Sequence, residues 1–148
     1  MGENTFEVVK VIKKILISIC IFKLITTSAM AQTNQQIQII DISKGKVIKN
    51  VQKNSDIQQE VEKFLEGITG VYMKLNPYPN NGFVIKIPLE PNVIVKNQWF
   101  NDFVDEVMII FPGQEHPYLM VFDNENQPYF LTFQGDTSKF LGLLNFKP

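Results

Sequence analysis

Three carboxylates in the middle of the chain, on Asp102, Asp105 and Glu106, have a spacing that could support acid and base chemistry. Residues three and four apart share one face of a helix, so a helix through this segment would bring these side chains together. Two carboxylates held close together titrate at different pH values, and such a pair can act as acid and base in hydrolysis. Acidic groups are also common on the solvated face of an amphipathic helix. The spacing is therefore compatible with a hydrolase that uses a carboxylate pair and, more simply, with a solvated surface.

His116 is the only histidine, and it lies between Glu115 and Pro117 in a polar segment that is typical of a turn. We expect an exposed side chain at this position rather than a general base or a metal ligand. The only cysteine is Cys20, near the start of the chain. The remainder of the chain therefore lacks the ligands for a zinc site of the Cys/His type.

Other catalytic and cofactor motifs are incomplete. No serine stands in a G-x-S-x-G segment, and the glycines form neither a dinucleotide fingerprint nor a phosphate-binding loop. Residues 123–127 place oxygen-bearing side chains at alternate positions, as a calcium loop does, but Pro128 and Gln134 occupy the positions that require glycine and glutamate. The sequence therefore predicts no cofactor and no metal ion, and it contains no complete catalytic motif.

Aromatic side chains are a further candidate for function, with 12 Phe, 4 Tyr and 1 Trp in the chain. Tyr72, Tyr78, Tyr118 and Tyr129 combine a large apolar ring with a polar tip, and tyrosine is a frequent anchor of binding surfaces. Tyrosines in strands also pack at the margin of a core, and that role stays open for all four. We take these tyrosines as the candidate binding residues.

Charge excludes one class of partner. The 148 residues include 14 basic side chains, all of them lysine, against 15 acidic ones, which gives a formal net charge of −1. A nucleic-acid-binding surface needs an excess of positive charge. Arginine, which grips phosphate through two parallel hydrogen bonds, is absent. We therefore expect no nucleic-acid partner.

The first 31 residues have the pattern of a secretory signal peptide. Three lysines within residues 10–14 precede the apolar residues 15–22, and Ala29 and Ala31 form an A-x-A cleavage signal. The apolar run is shorter than the roughly 20 residues that span a membrane, because Lys23 interrupts it. The pattern predicts export, with a mature chain that begins at residue 32 and contains no cysteine.

Hydrophobic periodicity after the leader first predicts two hairpins. Residues 36–42 and 47–51 alternate in polarity and are joined by a turn that contains glycine. Residues 71–75 and 83–89 repeat the pattern around a prolyl segment that ends in Asn-Gly, which favours a hairpin turn. We expect each pair to form two adjacent antiparallel strands.

Helical spacing occurs three times. The first helix begins at Ser55, which fits a capping box with Gln58, and its polar side, including Glu60, is interpreted as a solvated face. A short second helix is predicted after Asn97, and it would carry the acidic trio. A third helix, capped by Asp136, is a candidate cover for the sheet.

The last third of the chain contains three strand-like runs, residues 107–111, 118–123 and 128–134, separated by short polar turns. This arrangement predicts an antiparallel meander. Both alternating sets of side chains are apolar, so both faces of the sheet must be covered. The sequence therefore predicts an α+β fold: a single domain over residues 32–148, with an antiparallel sheet built from hairpins and a C-terminal three-stranded meander, and two or three packed helices.

Three segments carry a resemblance to known proteins: DISKGKVI at residues 41–48, FVIKIPL at 83–89 and YLMVFD at 118–123. With the general texture of the chain after the leader, they resemble small exported proteins of unknown function from spore-forming Gram-positive bacteria. The resemblance brings no catalytic motif and no activity. It implies export.

We therefore expect an exported, non-catalytic binding domain whose partner is another protein or a component of the cell envelope. Two alternatives stay open. One is a small envelope hydrolase that uses the carboxylates of Asp102, Asp105 or Glu106. The other is a membrane-tethered accessory subunit, which would retain residues 8–31 as an uncleaved anchor and would contact the membrane only in that case.

Overall fold

The computed structural model describes residues 36–148, which form seven strands and two helices. In chain order these are β1 (Gln36–Asp41), β2 (Lys46–Gln52), α1 (Ser55–Glu66), β3 (Ile68–Val71), β4 (Phe83–Lys96), β5 (Asn101–Phe111), β6 (Tyr118–Phe122), β7 (Pro128–Phe133) and α2 (Thr137–Leu143). The strands form one sheet in the order β2-β1-β4-β5-β6-β7-β3, and all neighbouring pairs are antiparallel. The predicted α+β class is confirmed. The predicted leader, with Ala29 and Ala31, lies outside the described residues.

One face of the sheet forms the main core together with both helices. Side chains alternate between the two faces of a strand, so Ile37 and Ile39 of β1 lie on the same face as Ile85 and Ile87 of β4, and all four are fully buried. The helices contribute apolar side chains to the same cluster: Ile57, Val61, Phe64 and Leu65 from α1, and Phe140 and Leu144 from α2 and its C-cap. Burial of these apolar groups is the main stabilising contribution to the fold.

The ends of both helices follow from local side-chain chemistry. The Asn54 side chain accepts a hydrogen bond of 2.9 Å from the Ile57 N–H and caps α1, so the predicted cap at Ser55 is wrong by one residue. The helix ends at Glu66, and Gly67 is its C-cap. Asp136 caps α2 as predicted, through a 2.8 Å hydrogen bond from the Ser138 N–H.

Gln58 does not form the predicted capping box, because it is buried against a break in the sheet. The pairing of β4 with β5 changes register between Pro88 and Val93. The Gln58 side chain accepts a 3.1 Å hydrogen bond from the Glu90 N–H and donates one of 3.3 Å to the Pro91 carbonyl. A side chain of α1 therefore satisfies backbone groups of β4 where the strand ladder is interrupted.

Glu60 is 5% exposed, so its predicted place on a solvated face is wrong. Its carboxylate forms ion pairs with Lys63 at 2.7 Å and with Lys139 at 2.6 Å. Hydrogen bonds from Lys139 and then from Lys63 hold the pKa of Glu60 below its usual value. Because Lys139 belongs to α2, this carboxylate joins the two helices.

The predicted hairpin of residues 71–75 and 83–89 is wrong. β3 ends at Val71 and pairs with β7, and Gly70 lies opposite Thr132. β4 pairs instead with β1 and β5. Long-range pairing therefore overrides the local turn signal, and residues 72–82 connect strands that are not neighbours in the sheet.

The helix predicted after Asn97 is also wrong. Asn97 caps a tight turn, in which its side chain accepts hydrogen bonds from the Trp99 and Phe100 N–H groups, and the chain then continues as β5. β5 is held between β4 and β6, and this pairing decides against the helical spacing. The C-terminal meander contains the three predicted strands as β5, β6 and β7, and β4 extends it to a fourth. Within residues 36–148, neither helix is long and apolar enough to cross a membrane.

Candidate functional site

The second face of the sheet carries a smaller apolar cluster that the helices do not cover. Its buried members are Ile110, Tyr118 and Met120, and Tyr72 and Phe130 pack against them. Residues 72–82, which we call the tyrosine loop, supply Tyr72 to this cluster and bring Tyr78 onto Phe130. The tyrosine loop therefore covers the second face of the sheet, whose apolar side chains require a cover.

The first anchor of the tyrosine loop is a pair of stacked rings. The Tyr72 ring lies parallel to the Tyr118 ring, with centroids 3.8 Å apart. The Tyr118 hydroxyl donates a hydrogen bond to the Pro77 carbonyl, in the middle of the loop. Burial raises the pKa of Tyr118 well above its usual value, so this hydroxyl keeps its proton and remains a donor.

The second anchor is ionic. Glu115 forms an ion pair with Lys74 and accepts a 3.0 Å hydrogen bond from the Tyr72 hydroxyl. The hydrogen bond from Lys74, followed by that from Tyr72, lowers the pKa of Glu115. The same carboxylate raises the pKa of Lys74, while the pKa of Tyr72 is raised by burial and then by Glu115. At neutral pH the pair is fully charged and fastens the loop to the turn between β5 and β6.

Tyr78 makes the third contact, with its ring edge-on to Phe130 at a centroid distance of 5.2 Å. Large apolar side chains of the loop nevertheless remain exposed. Met73 is 89% exposed, Leu75 is fully exposed and Tyr78 is 57% exposed. Folding therefore leaves three large apolar side chains in solvent on a segment whose backbone is fixed on both sides of them.

An open cleft of about 710 Å³ lies beside the stacked rings. It is lined by Tyr72, Gln114, Glu115, His116, Pro117, Tyr118, Thr132 and Phe133. His116 is exposed, as the sequence suggested. Among residues 36–148, no group of three or more His, Asp or Glu side chains is placed to hold a metal ion. The cleft offers aromatic surface and one carboxylate that is already paired.

Tyr129, the fourth candidate tyrosine, lies away from the other three. Its ring packs edge-on against the buried Phe100, with centroids 5.2 Å apart, and it borders a separate cleft of about 320 Å³. We call this the tryptophan cleft, since Trp99 forms part of its wall. The candidate tyrosines therefore divide between two sites.

The acidic trio is not brought together on one face, because it lies on a strand. Asp105 is exposed, and its neighbour Glu106 forms an ion pair with Lys86 at 2.9 Å. Asp102 accepts a hydrogen bond from the Asn124 N–H and borders the tryptophan cleft. In β5, Glu106 lies opposite Pro88 and Val104 opposite Val93, so Asp105 falls within a register shift and the helical spacing of the trio does not form. The one-face arrangement that motivated the carboxylate pair is therefore wrong.

Sequence reasoning did not identify Lys74 and Glu115 as functional, although they fix the tyrosine loop. The two residues lie 41 positions apart, and no local pattern indicates that they meet. The strand predicted over residues 71–75 includes Met73 and Leu75, because these apolar residues alternate with the polar Lys74. Alternation predicts a side chain on each face of a sheet, yet this segment has left the sheet before Met73.

Comparison with known proteins returns no relative for this chain. No protein-family model matches the sequence, and no curated protein or solved structure matches it significantly.

Proposed function

We propose that this protein is an exported, non-catalytic binding domain that contacts a protein partner through the tyrosine loop. The observation that carries the proposal is the full exposure of Leu75, with Met73 and Tyr78 largely exposed beside it, on a loop that is otherwise held in place. Single exposed apolar side chains are ordinary on protein surfaces. Three of them within six consecutive residues concentrate exposed apolar side chains on one loop, which favours an interaction site.

The anchors of the loop favour binding because they fix its conformation before a partner arrives. The Tyr72 and Tyr118 rings are stacked, and Lys74 is paired with Glu115. A loop that is already ordered loses less conformational freedom on association, so more of the contact energy appears as affinity. Large apolar side chains that enter a partner's pocket supply much of that energy.

Export rests on the leader pattern of residues 1–31 and supports a partner outside the cytoplasm. Fractionation of native cells, followed by intact-mass measurement in medium, membrane and cytoplasm, tests this part of the proposal. A species that begins at Gln32 in the medium or the cell wall is the expected result. An uncleaved species in the membrane would instead make residues 8–31 an anchor and the protein a tethered subunit.

The partner is tested by placing a photo-crosslinking amino acid at Leu75 in the full chain, expressed in its native cells. A matched probe at Gln59, an exposed position on α1, serves as the control. We expect one discrete adduct from position 75 that is absent from position 59 and that disappears when Met73 is changed to Asp. Identical adducts from both positions, or none from position 75, would overturn the loop as the contact surface.

The hydrolase alternative depends on a carboxylate pair among Asp102, Asp105 and Glu106. Asp105 is exposed and Glu106 is paired with Lys86, and the helix that would group them with Asp102 does not form. The binding proposal uses features that the structure brings together, and for that reason we prefer it.

A further inference from the structure

The tryptophan cleft is built where two hairpins end side by side. The β4–β5 turn is stiffened by Asn97, whose side chain accepts hydrogen bonds of 2.8 Å from the Trp99 N–H and 2.9 Å from the Phe100 N–H. Asp102 connects this turn to the β6–β7 turn through a 3.0 Å hydrogen bond from the Asn124 N–H. The walls of the cleft therefore belong to two turns that are tied to each other.

Two aromatic rings face the cleft with part of their surface free. Trp99 and Tyr129 are each 38% exposed, and both line the cavity. Tyr129 is supported from below by Phe100, which is 4% exposed and lies edge-on to it. The Tyr129 ring is consequently held in position, and both rings present flat apolar surface to a ligand.

The rest of the lining is polar and acidic. It consists of Asn97, Gln98, Asn101, Asp102 and Asp123. Both hydrogen bonds to the Asp123 carboxylate, from the Glu125 and Gln127 N–H groups, go to Oδ1, and the other oxygen faces no partner among residues 36–148. Carboxylate oxygens accept hydrogen bonds, and the amide groups both donate and accept them.

This lining discriminates between classes of ligand by charge. No lysine borders the cleft, and the chain contains no arginine, so nothing there would neutralise a phosphate or another anion. Two carboxylates disfavour anionic ligands further. A neutral molecule with many hydroxyl groups and one apolar face satisfies the rings, the amides and the carboxylates together.

We propose that the tryptophan cleft binds a neutral hexopyranose unit of an oligosaccharide or polysaccharide. The C–H face of the sugar ring packs on Trp99 or Tyr129, while its hydroxyl groups donate to the carboxylates of Asp102 and Asp123. A volume of about 320 Å³ suits one or two sugar rings, at the lower end of the range of small-molecule sites. The inference does not depend on the tyrosine loop or on its protein partner.

Trp99 is the only tryptophan of the chain, so intrinsic fluorescence reports on this cleft. The full chain is titrated separately with four tetrasaccharides, built from glucose, mannose, galactose and N-acetylglucosamine. We expect a saturable change of Trp emission with at least one of them below about 10 mM, the weak affinity typical of a shallow site. Choline chloride is titrated in parallel, because a cation could also lie over the rings.

Matched variants locate the binding. Tyr129→Ala removes a ring from the cleft and is expected to weaken binding about 10-fold, whereas Tyr78→Ala removes the same ring from the tyrosine loop and should leave binding unchanged. Asp123→Asn keeps Oδ1 for its turn and is also expected to weaken binding about 10-fold. Asp105→Asn, which removes an exposed charge outside the cleft, is its control.

Three results would overturn the proposal: no tetrasaccharide changes the emission, choline alone produces the saturable change, or Tyr78→Ala weakens binding as much as Tyr129→Ala. If Tyr129→Ala does not fold, the comparison of Asp123→Asn with Asp105→Asn still tests the proposal. Equal saccharide affinities of these two variants would exclude the tryptophan cleft as the binding site. Tyr78→Ala also separates the two proposals. We expect this variant to lose contact with the protein partner and to bind the saccharide as the unchanged protein does.

Discussion

The rings of Tyr72 and Tyr118 lie face to face, with centroids 3.8 Å apart and planes inclined by 11°. One ring belongs to the start of the tyrosine loop and the other to the buried strand β6, so the stack attaches the loop to the sheet. The hydroxyl of Tyr118 then reaches the Pro77 carbonyl and fixes the middle of the loop. One buried side chain, Tyr118, therefore holds the loop at two points, its start and its middle.

Tyr118→Phe keeps the stacked ring and removes only the hydroxyl. The Pro77 carbonyl loses its donor, so we expect the free energy of unfolding to fall by about 1 to 2 kcal/mol and the loop to become more sensitive to protease. Urea denaturation and limited proteolysis measure the two effects. Tyr129→Phe is the control, because its hydroxyl makes no hydrogen bond within the described part of the chain. Equal behaviour of the two variants would contradict this role of the hydroxyl.

Gln58→Ala should destabilise the fold far more than the same change at its neighbour Gln59. Gln58 is buried and bonds to backbone groups of Glu90 and Pro91, whereas Gln59 is exposed on the same helix. Loss of these bonds in a buried place is expected to cost about 1 to 3 kcal/mol, and the change at Gln59 less than about 0.5 kcal/mol. Chemical denaturation of both variants checks the difference. Similar values would show that the break in β4 does not need this side chain.

Acid stability depends in part on Glu60. Its folded-state pKa is lowered from 4.5, so its ion pairs stabilise the protein fully above pH 4.5, and this contribution is lost as the pH falls through the folded-state pKa. Lys139 has a raised pKa, so its contribution is lost only above pH 10.5. We expect Glu60→Gln to lower the Tm at pH 7 and to flatten the decline of Tm below pH 4.5. Thermal scans from pH 7 to pH 2.5 measure both, and Glu66→Gln, which changes an exposed carboxylate of α1, serves as the control. A decline as steep in Glu60→Gln as in the unchanged protein would contradict the assignment.

Gly82 and Gly45 form a matched pair, since both adopt positive φ, at 103° and 60°. A Cβ atom at Gly82 would overlap the Phe111 carbonyl oxygen, whereas one at Gly45 meets nothing within 4 Å. We expect Gly45→Ala to cost about 1 kcal/mol and Gly82→Ala more than about 3 kcal/mol. Equilibrium unfolding, or soluble yield if Gly82→Ala does not fold, tests this order. A cost at Gly45 that matches the cost at Gly82 would show that backbone conformation alone, rather than the close approach to Phe111, decides the outcome.

The sequence predicted the elements whose signals are local. The turn around Gly45, the body of α1, the cap at Asp136 and the three C-terminal strands are all found in the structure. Each depends on residues within a few positions of one another, where turn chemistry and hydrophobic period are sufficient. The helix predicted after Asn97 is wrong because the apolar side chains of this segment also fit helical spacing. Only the pairing of β5 with β4 and β6 selects the strand.

The candidate sites were less accessible to prediction. The four tyrosines were named from residue type, but the stack of Tyr72 on Tyr118 joins residues 46 positions apart (118 − 72) and follows only from the strand order. Asp102 was singled out for a helical acid pair and instead lies beside Trp99 in a cleft formed by two turns. Residue chemistry could be predicted from the sequence, whereas the grouping of the residues could not.

The edge strand β3 depends for its pairing on β7, the last strand of the sheet in chain order. Among the described residues, β3 is held in the sheet only by β7, with Ile68 opposite Phe133, so it stays unpaired until a segment 65 positions later (133 − 68) joins the sheet. Contacts between residues so distant in sequence form slowly, because closing the long loop between them costs chain entropy before the strands can pair. The tyrosine loop leaves directly from β3, and the Tyr72 N–H bonds to the Phe130 carbonyl of β7. The surface proposed to bind a partner is therefore complete only when β3 and β7 have paired.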